Sequence, residues 1–526
     1  VSNPYIFRKH QGQVISINPF QYNAVDKKLR VYEEITIEVN FEKSDHVTET
    51  IPEAIKHRAP IEFEEIYRNH FVNIQDDSKY TPVEERGNML IISHPDFMET
   101  IEPFVTWKKQ SGIPVDVVSA SNFADAEAIK DSVSGYYANK GLTYLLLVGD
   151  AEQVPPYYKS GDSDAAYGHI SGDDSYPEVI VGRFSGENVD QIATQVERVI
   201  KYEKEPDPSA GWYKNAMGIA SQEGGGSSGD DGEIDYEHIR NILTDLDNYT
   251  YTRTAEFFEG DQGGDDASGN PSASDVGDEL NSGSGLIAYT GHGSNTAWGT
   301  SGFSVDDINS LTNDNMLPFI FDVACVNGNF NGQTCFAEAW MRATNNDQPT
   351  GAIAIIASTI NQSWDPPMAA QDEMVDILVE SYANNIRRTF GGITINGCML
   401  MNDEYGDAGA EMTDTWTIFG DPSLMVRTDS TQTFNLTHND VLVLGENSLK
   451  VSGPGKAYVT FTQNGELVSK GVLENGTAQL TFDPFTEPGK ATLTVTGYNK
   501  TPYISEIEII AADEPYVILD SLVNKE

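Results

Sequence analysis

The chain has 526 residues, 39% of them hydrophobic and 10% aromatic; at about 100–200 residues per domain this predicts three or four folded units. A formal charge of −48 excludes a nucleic-acid binder that relies on a basic face, and it suits cationic substrates or Ca²⁺. No apolar run approaches the ~20 residues of a membrane span, no signal peptide opens the chain, and the three cysteines Cys325, Cys335 and Cys398 exclude a disulfide scaffold. The start at Val1 rather than Met predicts a trimmed product.

Residues 1–79 carry alternating stretches, Gln13 to Ile17 and Leu29 to Val39, with the period of half-buried strands. A charged, irregular segment follows and ends in an exposed junction at Asp76 to Pro82. From Met89 the pattern becomes strand, helix, strand. Strands are expected at Met89 to Ser93, Val115 to Ser119, Thr143 to Val148 and Glu178 to Phe184, with helices at about Pro95 to Lys109, up to Ala138 and through Tyr202. Such alternation predicts a parallel sheet covered on both faces. Pro206, Pro208 and Gly211 mark a seam.

A second α/β set has strands near Ala216 to Ser221, Tyr249 to Glu256, Gly285 to Tyr289, Pro318 to Val323 and Ala352 to Ser358. Its helices are read at Asp235 to Leu246, Phe336 to Ala343, Ala369 to Tyr382 and Gly391 to Tyr405. The tracts Gly224 to Gly232 and Gly260 to Gly269 are loops. After Arg427, short strands punctuated by Asn464-Gly465, Asn475-Gly476 and Pro488-Gly489 predict a small β-sandwich, and a linker closes the chain. The resulting division is 1–79, 80–208, 209–428, 429–512 and 513–526.

Two runs carry the chemistry. Tyr289-Thr290-Gly291-His292-Gly293 and Phe321-Asp322-Val323-Ala324-Cys325-Val326-Asn327-Gly328 each follow an apolar run, so His292 and Cys325 fall at the carboxyl ends of buried strands. That rim is where open parallel sheets collect reactive groups. An imidazole beside a thiol can take its proton during attack. The backbone N–H groups of Cys325 and Gly293 offer an oxyanion hole, in which one donor is worth ~3 kcal/mol of transition-state stabilisation. Acyl transfer uses all three parts. Taken by itself, a cysteine at a strand end is more often a buried structural residue, and a lone Gly-His-Gly run is more often a turn; the two at neighbouring strand ends, each flanked by glycine, bring the catalytic reading level with the structural one.

Longer motifs go further. The two runs, with Ser294 to Trp298, Cys335-Phe336-Ala337-Glu338, Ile355 to Trp364, Gln371-Asp372-Glu373-Met374, Arg388 to Gly392 and Phe419-Gly420-Asp421-Pro422-Ser423, resemble the gingipains, cysteine endopeptidases of caspase-like fold. The resemblance covers roughly residues 80 to 510. Residues 1–79 are similar to the later part of the family's N-terminal prodomain, and Tyr80-Thr81-Pro82 is similar to its mature start, placing prodomain cleavage at Lys79-Tyr80. It implies an α/β caspase-like catalytic domain of two parallel-sheet subdomains, a β-rich prodomain segment and a C-terminal immunoglobulin-like β-sandwich.

Residue by residue, the resemblance makes Cys325 the nucleophile, His292 the general base and acid, and Glu223 the carboxylate that orients the imidazole, a role that fixes tautomer and stabilises the cation. It places Asp235 at the floor of a pocket for a basic P1 side chain, with Trp364 and Met368 covering it. By the same resemblance arginine is the expected P1 residue, because Pro367 stands where lysine-specific members carry an acid; Asp365 leaves mixed Arg/Lys cleavage next. A structural Ca²⁺ is implied at Asp150, Asp174, the Tyr176 carbonyl and Glu178. Export to the cell surface or medium is implied too, as is a prodomain that stays docked over Cys325 as an inhibitor. Two other functions use the same sequence: a transpeptidase resolving the same acyl-enzyme with an amine, and an adhesin whose catalytic residues are vestigial.

Overall fold

The computed structural model describes residues 2–38, 51–56, 60–73, 86–226, 229–383 and 385–511. Its centre is one ten-stranded sheet built from β1 (Met89–Ser93), β2 (Val115–Ser119), β3 (Tyr144–Val148), β4 (Ile180–Phe184), β5 (Asn215–Ala220), β6 (Arg253–Phe258), β7 (Leu286–Thr290), β8 (Phe319–Val323), β9 (Ala354–Ser358) and β10 (Trp416–Phe419). The order is β6-β5-β7-β8-β9-β10-β4-β3-β1-β2. Most of these strands are buried along their whole length, as apolar runs covered on both faces must be.

The two expected subdomains therefore share a sheet. Strands β1 to β4 pair in parallel, as do β5 to β9, and the halves join where β9 meets β10 antiparallel. Strand β10, which the sequence reading left without an element, pairs in parallel with β4. The halves consequently point in opposite directions. The carboxyl ends of β7 and β8 lie on the same rim as the amino ends of β3 and β4. The segment after β10 is structural: buried Lys108 pairs with both Glu203, at 2.6 Å, and Asp421, at 2.5 Å.

Four helices matter for the site: α1 (Ile61–His70), α2 (Asp235–Tyr249), α3 (Asp365–Leu378) and α4 (Phe390–Tyr405). The strand expected from Tyr249 starts only at Arg253, because Leu246 keeps α2 packed on the core to Tyr249. The helix expected from Pro95 begins as a 3₁₀ turn, and its α-helical part runs Glu102–Gln110.

In the N-terminal segment the strands are Tyr5–Phe7 with His10–Gly12 and Phe20–Asn23 with Lys28–Val31; Gln13 to Ile17 forms none. The charged stretch holds α1, whose Phe63, Ile66 and Tyr67 form one apolar stripe at i, i+3 and i+4. That stripe and Phe7 join the same core as Ile91, Tyr144, Leu146 and Ile180. The junction Lys79-Tyr80 and the tail 513–526 lie outside the described residues.

The C-terminal unit is a β-sandwich with its own core around Val451, Phe461, Leu480, Leu493 and Ile507. Asn464-Gly465 and Asn475-Gly476 both take positive φ at each residue, the hairpin-turn geometry these dipeptides favour.

Candidate active site

His292 and Cys325 follow directly on β7 and β8, whose last residues, Thr290 and Val323, are register partners. Adjacent parallel strands thus deliver both side chains into one pocket, lined also by Thr290, Gly291, Val323, Ala324, Gln362, Ser363 and Trp364. Cys325 is partly exposed, and its Sγ lies 3.9 Å from the carbonyl of Gln362. Cys335 and Cys398 are buried, and burial pushes their thiols up, Cys398 to about 12. Only Cys325 combines access with a basic neighbour.

His292 Nε2 meets Glu223 Oε2 at 3.0 Å, and both side chains are 57% exposed. Glu223 sits in the glycine-rich loop after β5, held by its own N–H on Ser221 Oγ and by Asp235 N–H on its carbonyl. With Nε2 engaged, Nδ1 is the ring nitrogen left for the thiol.

The turn at the nucleophile is tight. Val326, β-branched, takes φ +51°, a conformation that costs energy and clusters at functional sites. Its N–H goes to Ile360 O, whereas Cys325 N–H has no acceptor among the described residues. A Cβ on Gly293 would lie 2.6 Å from Cys325 O, so only glycine permits this approach of the two turns.

Asp235 opens α2 and is fully buried. Ser221 Oγ donates to its Oδ2 at 2.5 Å and Trp364 Nε1 to its Oδ1 at 2.7 Å. Burial pushes its carboxyl up to about 6, against these two donors. Trp364 also meets the His292 ring edge-on, with centroids 5.2 Å apart. The indole, which lines the pocket, therefore links His292 to Asp235, which lies behind the pocket lining. Met368 is buried in the core one turn along α3 and does not line the pocket. Ser221 and Gln362 were missed in the sequence, since a serine at a strand end and a glutamine known only by its carbonyl carry no pattern.

The residues expected around Ca²⁺ are not gathered. Arg342 holds Asp150 Oδ2 at 3.1 Å. Asp174 accepts from the N–H groups of Ile6 and Tyr176, and Glu178 from those of Arg8, Ile170 and Ser171. Among the described residues these three carboxylates form no common coordination sphere. Arg342 already supplies a positive charge at Asp150, and the three carboxylates do not converge on one point, so as placed they do not fit a single ion.

The same loop anchors the N-terminal segment. Tyr5 stacks on Tyr176 at 3.8 Å between centroids, and buried Arg8 donates to the carbonyls of Leu142, at 2.9 Å, and Glu178, at 2.5 Å. Glu62 on α1 pairs with Arg387 at 3.2 Å. None of the described residues before 74 lines the Cys325 pocket, so the expected cover over the cysteine is not among them.

Residues 83–427 match the model of Peptidase family C25, residues 1–71 the C25 propeptide and residues 437–510 the family's C-terminal ig-like domain. The chain is 42% identical over 532 residues to Gingipain R1 of Porphyromonas gingivalis, covering 99% of this chain and 52% of that protein. It is 25% identical over 550 residues to Lys-gingipain HG66 of the same organism, covering 95% of this chain and 30% of that one. It thus spans about half the length of the first of these relatives. Two solved structures are similar at 42% identity. The complex of P. gingivalis RgpB pro- and mature domains has a TM-score of 0.77, over 81% of this chain and 100% of that one. The Arg specific cysteine proteinase gingipain R has a TM-score of 0.78, over 82% and 100%. With strand-end cysteine and histidine in one pocket, a docked propeptide segment and an ig-like domain, the chain belongs to peptidase family C25, as a gingipain-type peptidase.

Proposed function

We propose that the chain is a cysteine endopeptidase that cleaves after basic residues, arginine preferred, and is made as a zymogen for export. The observation that carries the reading is the buried Asp235 carboxylate, tied through Trp364 to the His292 and Cys325 pocket. A buried acid with neutral donors on both oxygens still has lone pairs for a cation, and a guanidinium can engage both oxygens at once. The name of the 42%-identical structure, an Arg specific proteinase, supports the same choice.

In this mechanism His292 Nδ1 takes the Cys325 proton, while Glu223 on Nε2 fixes the ring and stabilises the imidazolium. The thiolate attacks the scissile carbonyl, and Cys325 N–H, with Gly293 beside it, receives the oxyanion. His292 returns the proton to the leaving amine, and water then resolves the thioester. The prodomain's described contacts on the first half of the sheet anchor it; latency ends when the linker after it is cut.

The test is hydrolysis of matched peptides with Arg, Lys or citrulline at P1, before and after cleavage near Lys79, with an amine acceptor in parallel. Arginine-dependent hydrolysis that rises on cleavage is expected. Equal rates for citrulline would refute the specificity, full activity of the uncut chain would refute the zymogen, and predominantly ligated product would favour the transpeptidase. No hydrolysis at all, together with no labelling by an arginyl-ketone inhibitor, would favour the adhesin.

A further inference from the structure

One turn after Asp235 on α2, His238 is fully buried. Its Nε2 lies 2.9 Å from Gln371 Oε1. The Gln371 amide cannot be reversed, because its Nε2 donates to the carbonyls of Tyr289 and Phe321, at 3.0 and 2.9 Å, while Thr290 Oγ1 donates to its Oε1 at 2.7 Å. The His238 Nε2 must therefore carry a proton. The other ring nitrogen, Nδ1, has no hydrogen-bond partner among the described residues and faces Glu233 Oε2 and Asp372 Oδ2, each at 3.6 Å.

That spacing is informative. It is too long for a hydrogen bond, yet two donors bound to one tetrahedral ion at about 2.0–2.1 Å stand roughly 3.4 Å apart. The three ligand atoms lie within 4.8 Å of one another. Nδ1 facing two carboxylates calls for a positive charge between them; at 3.6 Å a proton on Nδ1 would be bonded to neither oxygen, whereas one metal ion would be bound by all three atoms. Asn241 occupies the other oxygen of Glu233 at 2.7 Å, leaving Oε2 turned inward. The side chains of Glu233 and Asp372 are 27% and 42% exposed, which gives an ion a path in and water a place in its shell.

We propose that Glu233, His238 and Asp372 form a binding site for a zinc-class divalent ion, with Gln371 orienting the imidazole from behind. One nitrogen and two carboxylate ligands suit zinc, whereas Ca²⁺ and Mg²⁺ prefer all-oxygen shells. A histidine whose second nitrogen is fixed by an oxygen acceptor is the usual outer-shell arrangement. The ion would join the first turn of α2, which carries Asp235, to α3, which begins directly after Trp364. Through Gln371 it would also brace the ends of β7 and β8. Occupancy would stiffen the pocket without touching the reacting atoms.

The test uses the full chain with Cys325→Ala, which removes the competing thiolate and self-cleavage. Equilibrium dialysis against ZnCl₂ should retain one zinc per chain. Both His238→Gln and Asp372→Asn should weaken it at least tenfold, and excess CaCl₂ should not displace it. Co²⁺ should give visible absorption of a tetrahedral nitrogen and oxygen site that Asp372→Asn abolishes. Zinc binding unchanged in Asp372→Asn, or no zinc retained, would overturn the site. If His238→Gln does not fold, the partly exposed Asp372 variant decides.

Discussion

On one half of the sheet, Glu223 and His292 pair at 3.0 Å while more than half of each side chain stays in solvent. On the other half, along the same rim, Glu178 is fully buried and accepts three backbone N–H groups, and burial pushes its carboxyl up to about 8. Both carboxylates lie near strand ends in glycine-bearing loops. The difference is what has been spent on them: Glu178 helps hold the N-terminal segment, whereas Glu223 keeps free capacity to follow the charge on an imidazole. A polar group at a strand end becomes reactive where its hydrogen bonds are left incomplete.

The comparison breaks most sharply at the nucleophile. Cys325→Ala should lower peptide hydrolysis by roughly 10⁴-fold or more, yet leave the N-terminal segment docked, read as unchanged co-elution after a cut in the linker. Asp235→Asn comes next: kcat/KM for arginyl peptides should fall roughly 100-fold, the cost of leaving a buried cation without its partner, with citrulline peptides little affected.

The same residue sets a pH dependence. Its carboxyl, raised to about 6, is neutral below that value and loses its attraction for a cation. KM for arginyl peptides should therefore rise as pH falls through about 6, and KM for citrulline peptides should not. A shared limb in both would assign it to the dyad instead.

On the other half, Arg8→Ala removes donors from buried carbonyls and leaves a cavity, and should weaken docking of the N-terminal segment by about 2–4 kcal/mol. The check is the release of that segment after cleavage, with hydrolysis by the freed enzyme unchanged. Glu223→Gln should have the smallest effect, a loss of less than about tenfold in kcat, because an exposed pair is worth little beyond orientation.

The strands were legible because Leu145-Leu146-Leu147-Val148 and Phe319-Ile320-Phe321 are continuous apolar runs bounded by turn residues. His292 and Cys325 followed from those strand ends, and Glu223, Asp235 and Trp364 only from the resemblance. Helix α1 was hidden because its three buried residues are spread among glutamates, a stripe that needs the sheet beneath it to be recognised. The partners of the acids named for calcium were hidden for a related reason: in sequence Asp174 and Glu178 are acids near a turn, and nothing local says that the N–H groups of Ile6 and Arg8 will arrive at their oxygens.

What the amino-acid sequence determined by itself is nine of the ten strands of the central sheet, the two reactive side chains at strand ends and the hairpins of the C-terminal sandwich, since these depend on short-range pattern and turn chemistry. The tertiary structure alone decided which acids remain available. Asp235 receives an indole from a residue 129 positions away, and Glu178 a backbone N–H from 170 positions away. Hydrogen-bond completion over such separations is a property of packing and is not encoded in any local stretch of the chain.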